Sequence, residues 1–215
     1  AGGVGNAIAK IAAERNFFEV MVVSDYDVSR AEGVVEWIRR RHGDEVAAKF
    51  LVSKIDASSA ENVTDVAREF GITHVLNAVE PKFVPTVFSG AFTAEANYMD
   101  MAMSLSEPHE DDPNHLPGLK LGDQQYAVNE QWERSGRLAL VGMGVEPGLS
   151  NVFARYAADY LFSEVDEISV KDGGNLVVRD DEGNEIFAPS FSIWTTIEEC
   201  LNPPLMFSSD KGWYT

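Results

Sequence analysis

The chain has 215 residues, of which 45% are hydrophobic, and its formal net charge is −18. This length and composition predict a globular protein with one full domain and part of another, and the acidic excess argues against a nucleic-acid or anionic-membrane partner. The single cysteine, Cys200, excludes an intrachain disulfide and a CxxC metal or redox site. With neither a basic and apolar leader nor the roughly 20 apolar residues of a membrane span, we expect a cytoplasmic protein.

The chain begins with a glycine-rich segment that leads into a predicted helix over residues 6–14. Gly2 and Gly5 fit the second and third glycines of the GxGxxG fingerprint, which binds a pyrophosphate at a helix N-terminus. The first glycine of the fingerprint and its preceding strand would come before Ala1, so we expect this chain to lack the first strand. A flexible terminus is the alternative interpretation of the glycines.

A predicted buried strand over residues 17–24 ends at Asp25, about twenty residues beyond the glycines. A carboxylate at this place can accept hydrogen bonds from the adenosine ribose and repels a 2′-phosphate, so Asp25 favours NAD over NADP. Arg30 follows five residues later and could bind that phosphate, which keeps NADP open. An ordinary loop acid is the alternative interpretation of Asp25.

Strands and helices alternate from here, which predicts an α/β fold with a doubly wound parallel (Rossmann) sheet. The next predicted helices are 29–41, 62–70 and 86–96, and the next predicted strands are 46–55, 73–79 and 98–101. Ligands of such sheets bind at the carboxyl ends of the strands. The residues expected at that edge are Gly2, Asp25, Asp56, Asn77 and Asp100.

Residues 104–123 lose this periodicity and are rich in Pro, Gly, His and acids, which predicts an exposed loop or lid. The histidines and acids of the loop lack the fixed spacing of a metal site, so we predict no metal. A helix over 124–135 and a strand over 137–142 follow, and a glycine-rich turn then enters a helix over 151–162.

Alternating residues after that helix predict antiparallel strands over 167–171, 175–179 and 185–187. We therefore expect residues 1–150 to form an NAD(P)-binding Rossmann domain whose first strand is missing. Residues 151–215 would form the incomplete start of an α+β substrate and dimerisation domain.

Four segments together resemble the saccharopine dehydrogenase family, which includes saccharopine reductase, L-lysine 6-dehydrogenase and carboxynorspermidine dehydrogenase. The segments are AGGVGNAIA at the start, VVSDYD around Asp25, VLNAVEPKFVPTVFSGAFTAEANYMDMA, and GMGVEPGLSNVFA. The resemblance covers residues 1 to about 162. It implies a longer chain, a homodimer, and an NAD(P)-dependent oxidoreductase that transfers a hydride to or from a carbon bonded to an amine nitrogen, through an imine.

The resemblance also implies roles for individual residues. The pyrophosphate would contact Gly2, Gly3, Val4 and Gly5. On the adenosine side, the ribose would contact Asp25, and the adenine would contact Asp56 and Ala57. On the other side, the nicotinamide ribose would contact Asn77, Ala78 and Val79, and the nicotinamide ring would lie near Met101, Pro147 and Gly148. The catalytic candidates are Glu146 and Asp100, whose carboxylates would stabilise a cationic nitrogen. The substrate-binding candidates are Glu80, Lys82, Asn151 and Trp194. Family members commonly have Asp at the position of Glu146.

The substrate implied by the resemblance is a lysine-derived amino acid such as saccharopine or lysine. A carboxynorspermidine-type polyamine is the first alternative, and a nucleotide-binding module without chemistry is the second. A short-chain-type dehydrogenase is disfavoured because no tyrosine of Tyr98, Tyr126, Tyr156 and Tyr160 has a lysine four residues later.

Overall fold

The computed structural model describes residues 1–171, 177–186, 193, 197 and 200–215. Its helices are α1 (Gly3–Ala12), α2 (Val28–His42), α3 (Asp44–Ala47), α4 (Ala60–Glu69), α5 (Val84–Thr93), α6 (Asp123–Tyr126), α7 (Asn129–Ser135) and α8 (Leu149–Tyr160). A short 3₁₀ helix, Pro81–Phe83, precedes α5. The strands are β1 (Met21–Asp25), β2 (Phe50–Lys54), β3 (His74–Asn77), β4 (Asn97–Asp100), β5 (Ala139–Leu140), β6 (Val178–Arg179), β7 (Glu185–Ile186), β8 (Met206–Ser208) and β9 (Gly212–Tyr214).

Parallel strands with intervening helices confirm the predicted α/β class. β1 pairs with β2, and β3, β4 and β5 form a second parallel sheet in that order. Within this second sheet, Asn77 at the end of β3 lies opposite Asp100 at the end of β4. The carboxyl ends of β3 and β4 therefore lie side by side.

The first half of the parallel region, residues 1–54, has a mostly aliphatic core with one buried ring, that of Phe50. Ala31, Val34, Val35 and Ile38 recur at helical spacing and bury one face of α2. That helix starts at Asp27, whose side chain accepts a hydrogen bond from the Ser29 N–H, and it ends at a glycine with positive φ. The buried face packs with α1, β1 and β2.

The second half, residues 55–105 and 122–144, has an aromatic core. The ring of Phe88 lies edge-on to Tyr98 at 5.0 Å and 4.8 Å from Trp132. Helices α4 and α5 approach closely at Gly90, where an added Cβ would lie 2.7 Å from the Cβ of Val63. The lack of a side chain at this glycine allows the two helices to pack.

Several element boundaries predicted from the sequence are wrong. Helix α1 begins at Gly3, so the glycines form its first turn instead of a loop before it. Val46 and Ala47 belong to α3, because Gly43 turns the chain with φ 88° and two acids follow at a helix N-terminus. The helix expected over 124–135 is interrupted between α6 and α7, where Val128 leaves helical geometry.

The predicted antiparallel strands are confirmed only around one hairpin. Val178 pairs with Ile186 and Arg179 with Glu185. Residues 167–171 lie outside any strand, because alternation alone does not supply a hydrogen-bonded neighbour. Residues 172–176 and 187 lie outside the described residues, so the remainder of these predicted strands stays a prediction.

The chain divides into two units. One contains residues 1–105 and 122–144, and the other contains residues 106–121 and 145–215. The second unit holds α8, the two hairpins β6–β7 and β8–β9, and a bridge between Glu107 and Leu119. A domain boundary near residue 150 stays a prediction. In the described part of the chain, every helix is too short or too polar to cross a membrane.

Candidate functional site

The glycines at the start of the chain form the N-terminus of α1. The first hydrogen bond of the helix runs from the Asn6 N–H to the Gly2 carbonyl at 2.8 Å, so the amides of Gly3, Val4 and Gly5 precede the helical pattern. A Cβ added at Gly2 or Gly3 would meet no atom within 4 Å. Amides at a helix N-terminus beside open space provide the conditions for binding a phosphate.

This helix N-terminus lies between the ends of two strands from different sheets. The Ala1 nitrogen lies 2.9 Å from the Ser24 carbonyl oxygen and 2.8 Å from Oδ2 of Asp25, at the end of β1. On the other side, a Cβ at Gly5 would lie 3.9 Å from the Cβ of Ala78, just after β3. The structure thus brings the glycines, Asp25 and Ala78 together, as the edge rule for parallel sheets predicts.

Asp25 carries a negative charge beside the glycines. Its Oδ1 accepts a hydrogen bond from the Asp27 N–H at 3.0 Å. Partial burial raises the pKa of Asp25, but the hydrogen bonds to its carboxylate, including the one from the Asp27 amide, and the charge of Arg30 outweigh it, so that the pKa is lowered. The carboxylate can therefore accept hydrogen bonds at neutral pH.

The loop after β2 is fixed by local hydrogen bonds. Oδ1 of Asp56 accepts from the Ser58 N–H at 2.9 Å and from the Ser58 hydroxyl at 2.6 Å, and these bonds lower the pKa of Asp56. The Asp56 N–H donates to Oδ1 of Asn62 at 2.7 Å. Ala57 packs against the aromatic core of the second half. The predicted roles of Asp56 and Ala57 stay predictions.

A buried polar network lies at the ends of β3 and β4. Asn77 is 4% exposed and Asp100 is 0% exposed. Asn77 donates through Nδ2 to the Tyr98 hydroxyl at 2.8 Å, and that hydroxyl donates to Oδ2 of Asp100 at 3.0 Å. Burial and the negative charge of Asp100 raise the pKa of Tyr98, so its hydroxyl remains protonated and can donate.

Asp100 accepts four hydrogen bonds, all from neutral donors. Oδ2 accepts from Tyr98 and from Nε2 of Gln125 at 2.7 Å, and Oδ1 accepts from the N–H groups of Gly142 at 2.7 Å and Met103 at 3.2 Å. An ionised carboxylate has about four acceptor positions. Donors of the protein therefore occupy the acceptor positions of Asp100 that a cation of the substrate would need.

The other candidates after β3 and β4 are more accessible. Lys82 and Glu80 are both exposed and form an ion pair with each other, with Nζ 2.8 Å from Oε2. Ala78 and Met101 are half-buried, whereas Val79 is exposed. The Val79 N–H donates to Oδ1 of Asn77 at 3.1 Å, which shapes the turn that follows β3.

The candidates in the second unit lie around the start of α8. Glu146 is exposed and precedes a cis peptide bond to Pro147. The Gly148 N–H donates to Oδ1 of Asn151 at 2.9 Å, so Asn151 caps the helix. Trp194 lies outside the described residues. Its predicted role, like those of Glu146, Pro147, Gly148 and Asn151, stays a prediction.

The acids and histidines of the 104–123 loop bind to one another. Nδ1 of His115 lies 2.8 Å from Oδ1 of Asp112, and Nδ1 of His109 accepts from the amides of Asp111 and Asp112. Across the described residues, His, Cys, Asp and Glu side chains form no group of three or more that could hold a metal ion.

The sequence reasoning missed Tyr98 and Gln125 as members of the site. Tyr98 lies two residues before Asp100, so the period of a strand places both side chains on one face, and that signal was available. Gln125 had no such signal, because 25 residues separate it from Asp100.

Comparisons with known proteins show the family to which the chain is similar. Residues 1–140 match the family model described as the saccharopine dehydrogenase NADP binding domain. Carboxynorspermidine synthase of Vibrio cholerae is 28% identical over 201 residues, which are 93% of this chain and 46% of that protein. Carboxyaminopropylagmatine dehydrogenase of Synechocystis is 24% identical over 173 residues, which are 80% of this chain and 39% of that protein.

The fold is also found in a solved structure. Apo saccharopine dehydrogenase (L-Glu forming) from Saccharomyces cerevisiae aligns with a TM-score of 0.53 and 13% identity over 74% of this chain and 29% of that chain. This likeness concerns the fold alone. The chain spans about half the length of the curated Vibrio relatives that it matches.

Proposed function

The chain belongs to the saccharopine dehydrogenase family, and we propose that the whole protein is an NAD(P)-dependent oxidoreductase that acts on a C–N bond of an amine substrate. The observation that carries this proposal is the α1 N-terminus, which lies between Asp25 at the end of β1 and Ala78 after β3. A dinucleotide needs this arrangement, because its pyrophosphate lies at the helix and its two nucleosides extend to either side.

The residues at the site fit an NAD(P) cofactor. The amides of Gly3, Val4 and Gly5, with the open space over Gly2 and Gly3, suit the pyrophosphate. Asp25 would accept from the adenosine ribose, and Asp56 and Ala57 would border the adenine. When bound, the cofactor supplies the hydride acceptor or donor of the reaction.

The nicotinamide half would extend over the second half of the parallel region. The turn 77–79 would contact its ribose, and Met101, Pro147 and Gly148 would close on the ring. We propose Glu146 as the carboxylate that stabilises the cationic nitrogen of the substrate, since its side chain is exposed. The sequence predicts Asp100 for the same role, but its four protein donors favour a positioning role instead.

We propose an amine that carries a carboxyl group as the substrate. The names of the Vibrio and Synechocystis relatives denote such amines, which favours the polyamine alternative, and saccharopine stays the lysine-derived candidate. Lys82 would bind the substrate carboxylate in place of Glu80, its present partner at 2.8 Å. Glu80, Asn151 and Trp194 would complete the substrate side. A homodimer and a cytoplasmic location complete the proposal.

A substrate screen with the full-length protein tests the enzyme proposal. We expect a change in the absorbance of the reduced nicotinamide with carboxynorspermidine, saccharopine or lysine as the substrate. Flat traces with all three, while NADH or NADPH still binds, would favour the non-catalytic nucleotide-binding module instead.

Replacement of Asp25 tests the cofactor assignment. Asp25→Ala should weaken NAD binding by about tenfold, because one charge-assisted hydrogen bond to the ribose is lost. NADP binding should fall less, since the carboxylate repels the 2′-phosphate. Titration calorimetry with both cofactors measures the two losses, and equal losses would contradict the role of Asp25. Glu32→Ala, which removes an exposed carboxylate of α2 outside the proposed contacts, is the matched control.

A further inference from the structure

We infer that the Tyr98 hydroxyl is a positioning group that sets the affinity for the nicotinamide half of the cofactor, through Asn77 and the turn 77–79. This inference rests on the proposed function and extends it. Tyr98 is 2% exposed and lies beneath the strand ends, so it acts through other residues instead of touching a ligand.

The buried polar network, Asn77, Tyr98, Asp100 and Gln125, joins four parts of the chain. Asp100 accepts from the Gly142 N–H after β5 and from Gln125 in α6. Gln125 in turn accepts the Ser104 N–H through Oε1 at 2.8 Å. These bonds fix the Asp100 carboxylate relative to the sheet, and the carboxylate then orients the hydroxyl of Tyr98.

Asn77 connects the network to the turn that follows β3. The Tyr98 hydroxyl accepts from Nδ2 of Asn77, which orients Oδ1 toward the Val79 N–H at 3.1 Å. The turn held in this way carries Ala78, which lies next to Gly5 at the start of α1. The hydroxyl thus acts on the shape of a turn that, in the proposed function, contacts the nicotinamide ribose.

The adenine half of the site has a different support. Asp25 is held by a local hydrogen bond from the Asp27 N–H and contacts the Ala1 nitrogen, both in the first half. A change at Tyr98 should therefore alter binding of the nicotinamide half and spare the adenine half. This separation distinguishes a positioning role from a general loss of stability, which would affect both ligands alike.

The test measures binding of two probes to the full-length protein. The probes are NADH or NADPH, whichever the wild-type protein binds more tightly, and the adenosine diphosphate portion of the same dinucleotide, which lacks the nicotinamide ribose. Tyr98→Phe removes only the hydroxyl, and we expect about tenfold weaker binding of the dinucleotide, equivalent to one lost hydrogen bond. Binding of the adenosine diphosphate portion should change less than about twofold.

Two further variants make the test specific. Asn77→Ala removes the acceptor of the Val79 N–H and should give the same selective loss, including where Tyr98→Phe folds poorly. Phe88→Leu alters the ring packed on Tyr98 but leaves the network intact, and it should keep the wild-type ratio of the two affinities.

The outcomes distinguish failure of the proposed function from failure of the inference about Tyr98. Failure of the wild-type protein to bind either probe would overturn the proposed function and the inference with it. Two results would overturn the inference alone, provided that the wild-type protein binds both probes. One is an unchanged ratio of the two affinities in Tyr98→Phe and Asn77→Ala. The other is the same altered ratio in Phe88→Leu.

Discussion

Asp25 and Asp100 occupy equivalent places in the two halves of the parallel region, since each is the last residue of a parallel strand. Asp25 is half-buried beside open space, accepts from the backbone amide of Asp27 and contacts the Ala1 nitrogen. Asp100 is fully buried and accepts from four protein donors. A position at the carboxyl edge of a sheet therefore does not determine whether a carboxylate binds a ligand or stabilises the fold. The number of protein donors that hydrogen-bond to the carboxylate determines which of the two it does.

The two halves also differ in how their helices are packed. In the first half, α2 buries small and branched aliphatic residues against β1 and β2. In the second half, α5 lies against α4 so closely that Gly90 is required, and aromatic rings fill the space beside β4. The polar network lies at the edge of this tighter region, where displacement of a strand end would disturb several hydrogen bonds.

The largest expected difference between the halves is in the response to loss of the two strand-end charges. Asp100→Asn keeps one acceptor oxygen but turns an NH₂ group toward two of the four donors. We expect a loss of about 2–6 kcal/mol in the free energy of unfolding, since each unsatisfied buried donor costs about 1–3 kcal/mol. Urea denaturation measures the loss.

Asp25→Asn is the matched control for this comparison. We expect it to change the free energy of unfolding by less than about 1 kcal/mol, because the amide oxygen of asparagine can still accept the hydrogen bond from the Asp27 N–H. Similar losses in the two variants would contradict the distinction between a ligand-facing and a structural aspartate.

Helix packing gives the next largest expected difference. A methyl group at Gly90 would lie 2.7 Å from the Cβ of Val63 and 2.9 Å from the Ala60 carbonyl oxygen. Gly90→Ala should therefore lower the free energy of unfolding by about 1–3 kcal/mol, as overpacking does.

Gly33→Ala is the matched change in the first half. A Cβ at Gly33, within α2, would meet no atom within 4 Å. Glycine is unfavourable within a helix, and alanine is the most favourable residue there. Gly33→Ala should therefore raise the free energy of unfolding by roughly 0.5–1 kcal/mol. Thermal denaturation of both variants checks the opposite signs, and a stabilised Gly90→Ala would show that α4 and α5 are not closely packed.

The sequence predicted the α/β class and the proximity of the glycines to Asp25. The first prediction follows from the periodicity of nearby residues, and the second follows from the rule that the carboxyl ends of parallel strands lie at one edge of the sheet. It did not predict the difference between Asp25 and Asp100. Both are strand-end acids in the sequence, and burial of Asp100 depends on Gln125 and Gly142, whose approach is set by packing. The strand wrongly assigned to Val46 and Ala47 has a similar cause, since apolar residues there serve a short helix as well as a strand.

Alkaline pH should affect the second half through Tyr98. Burial first, and the negative charge of Asp100 next, raise the pKa of Tyr98 in the folded protein, against about 10 for an unfolded tyrosine. A raised pKa means that the unfolded chain loses its proton at lower pH than the folded one. The contribution of Tyr98 to stability is therefore complete below pH ~10 and declines above it, by at most about 1.4 kcal/mol per pH unit.

Comparison of two tyrosine variants isolates this effect from the titration of other groups. Tyr98→Phe should reduce the slope of the free energy of unfolding between pH ~10 and ~11, measured by urea denaturation. Tyr26→Phe, which changes an exposed ring next to Asp25 in the first half, should keep the wild-type slope. If both variants kept that slope, the Tyr98 hydroxyl would be no more costly to ionise in the folded protein than in the unfolded chain. The buried hydrogen bond from Tyr98 to Asp100 would then be contradicted, and the distinction between the two aspartates would depend on the other three donors to Asp100, which are Met103, Gln125 and Gly142.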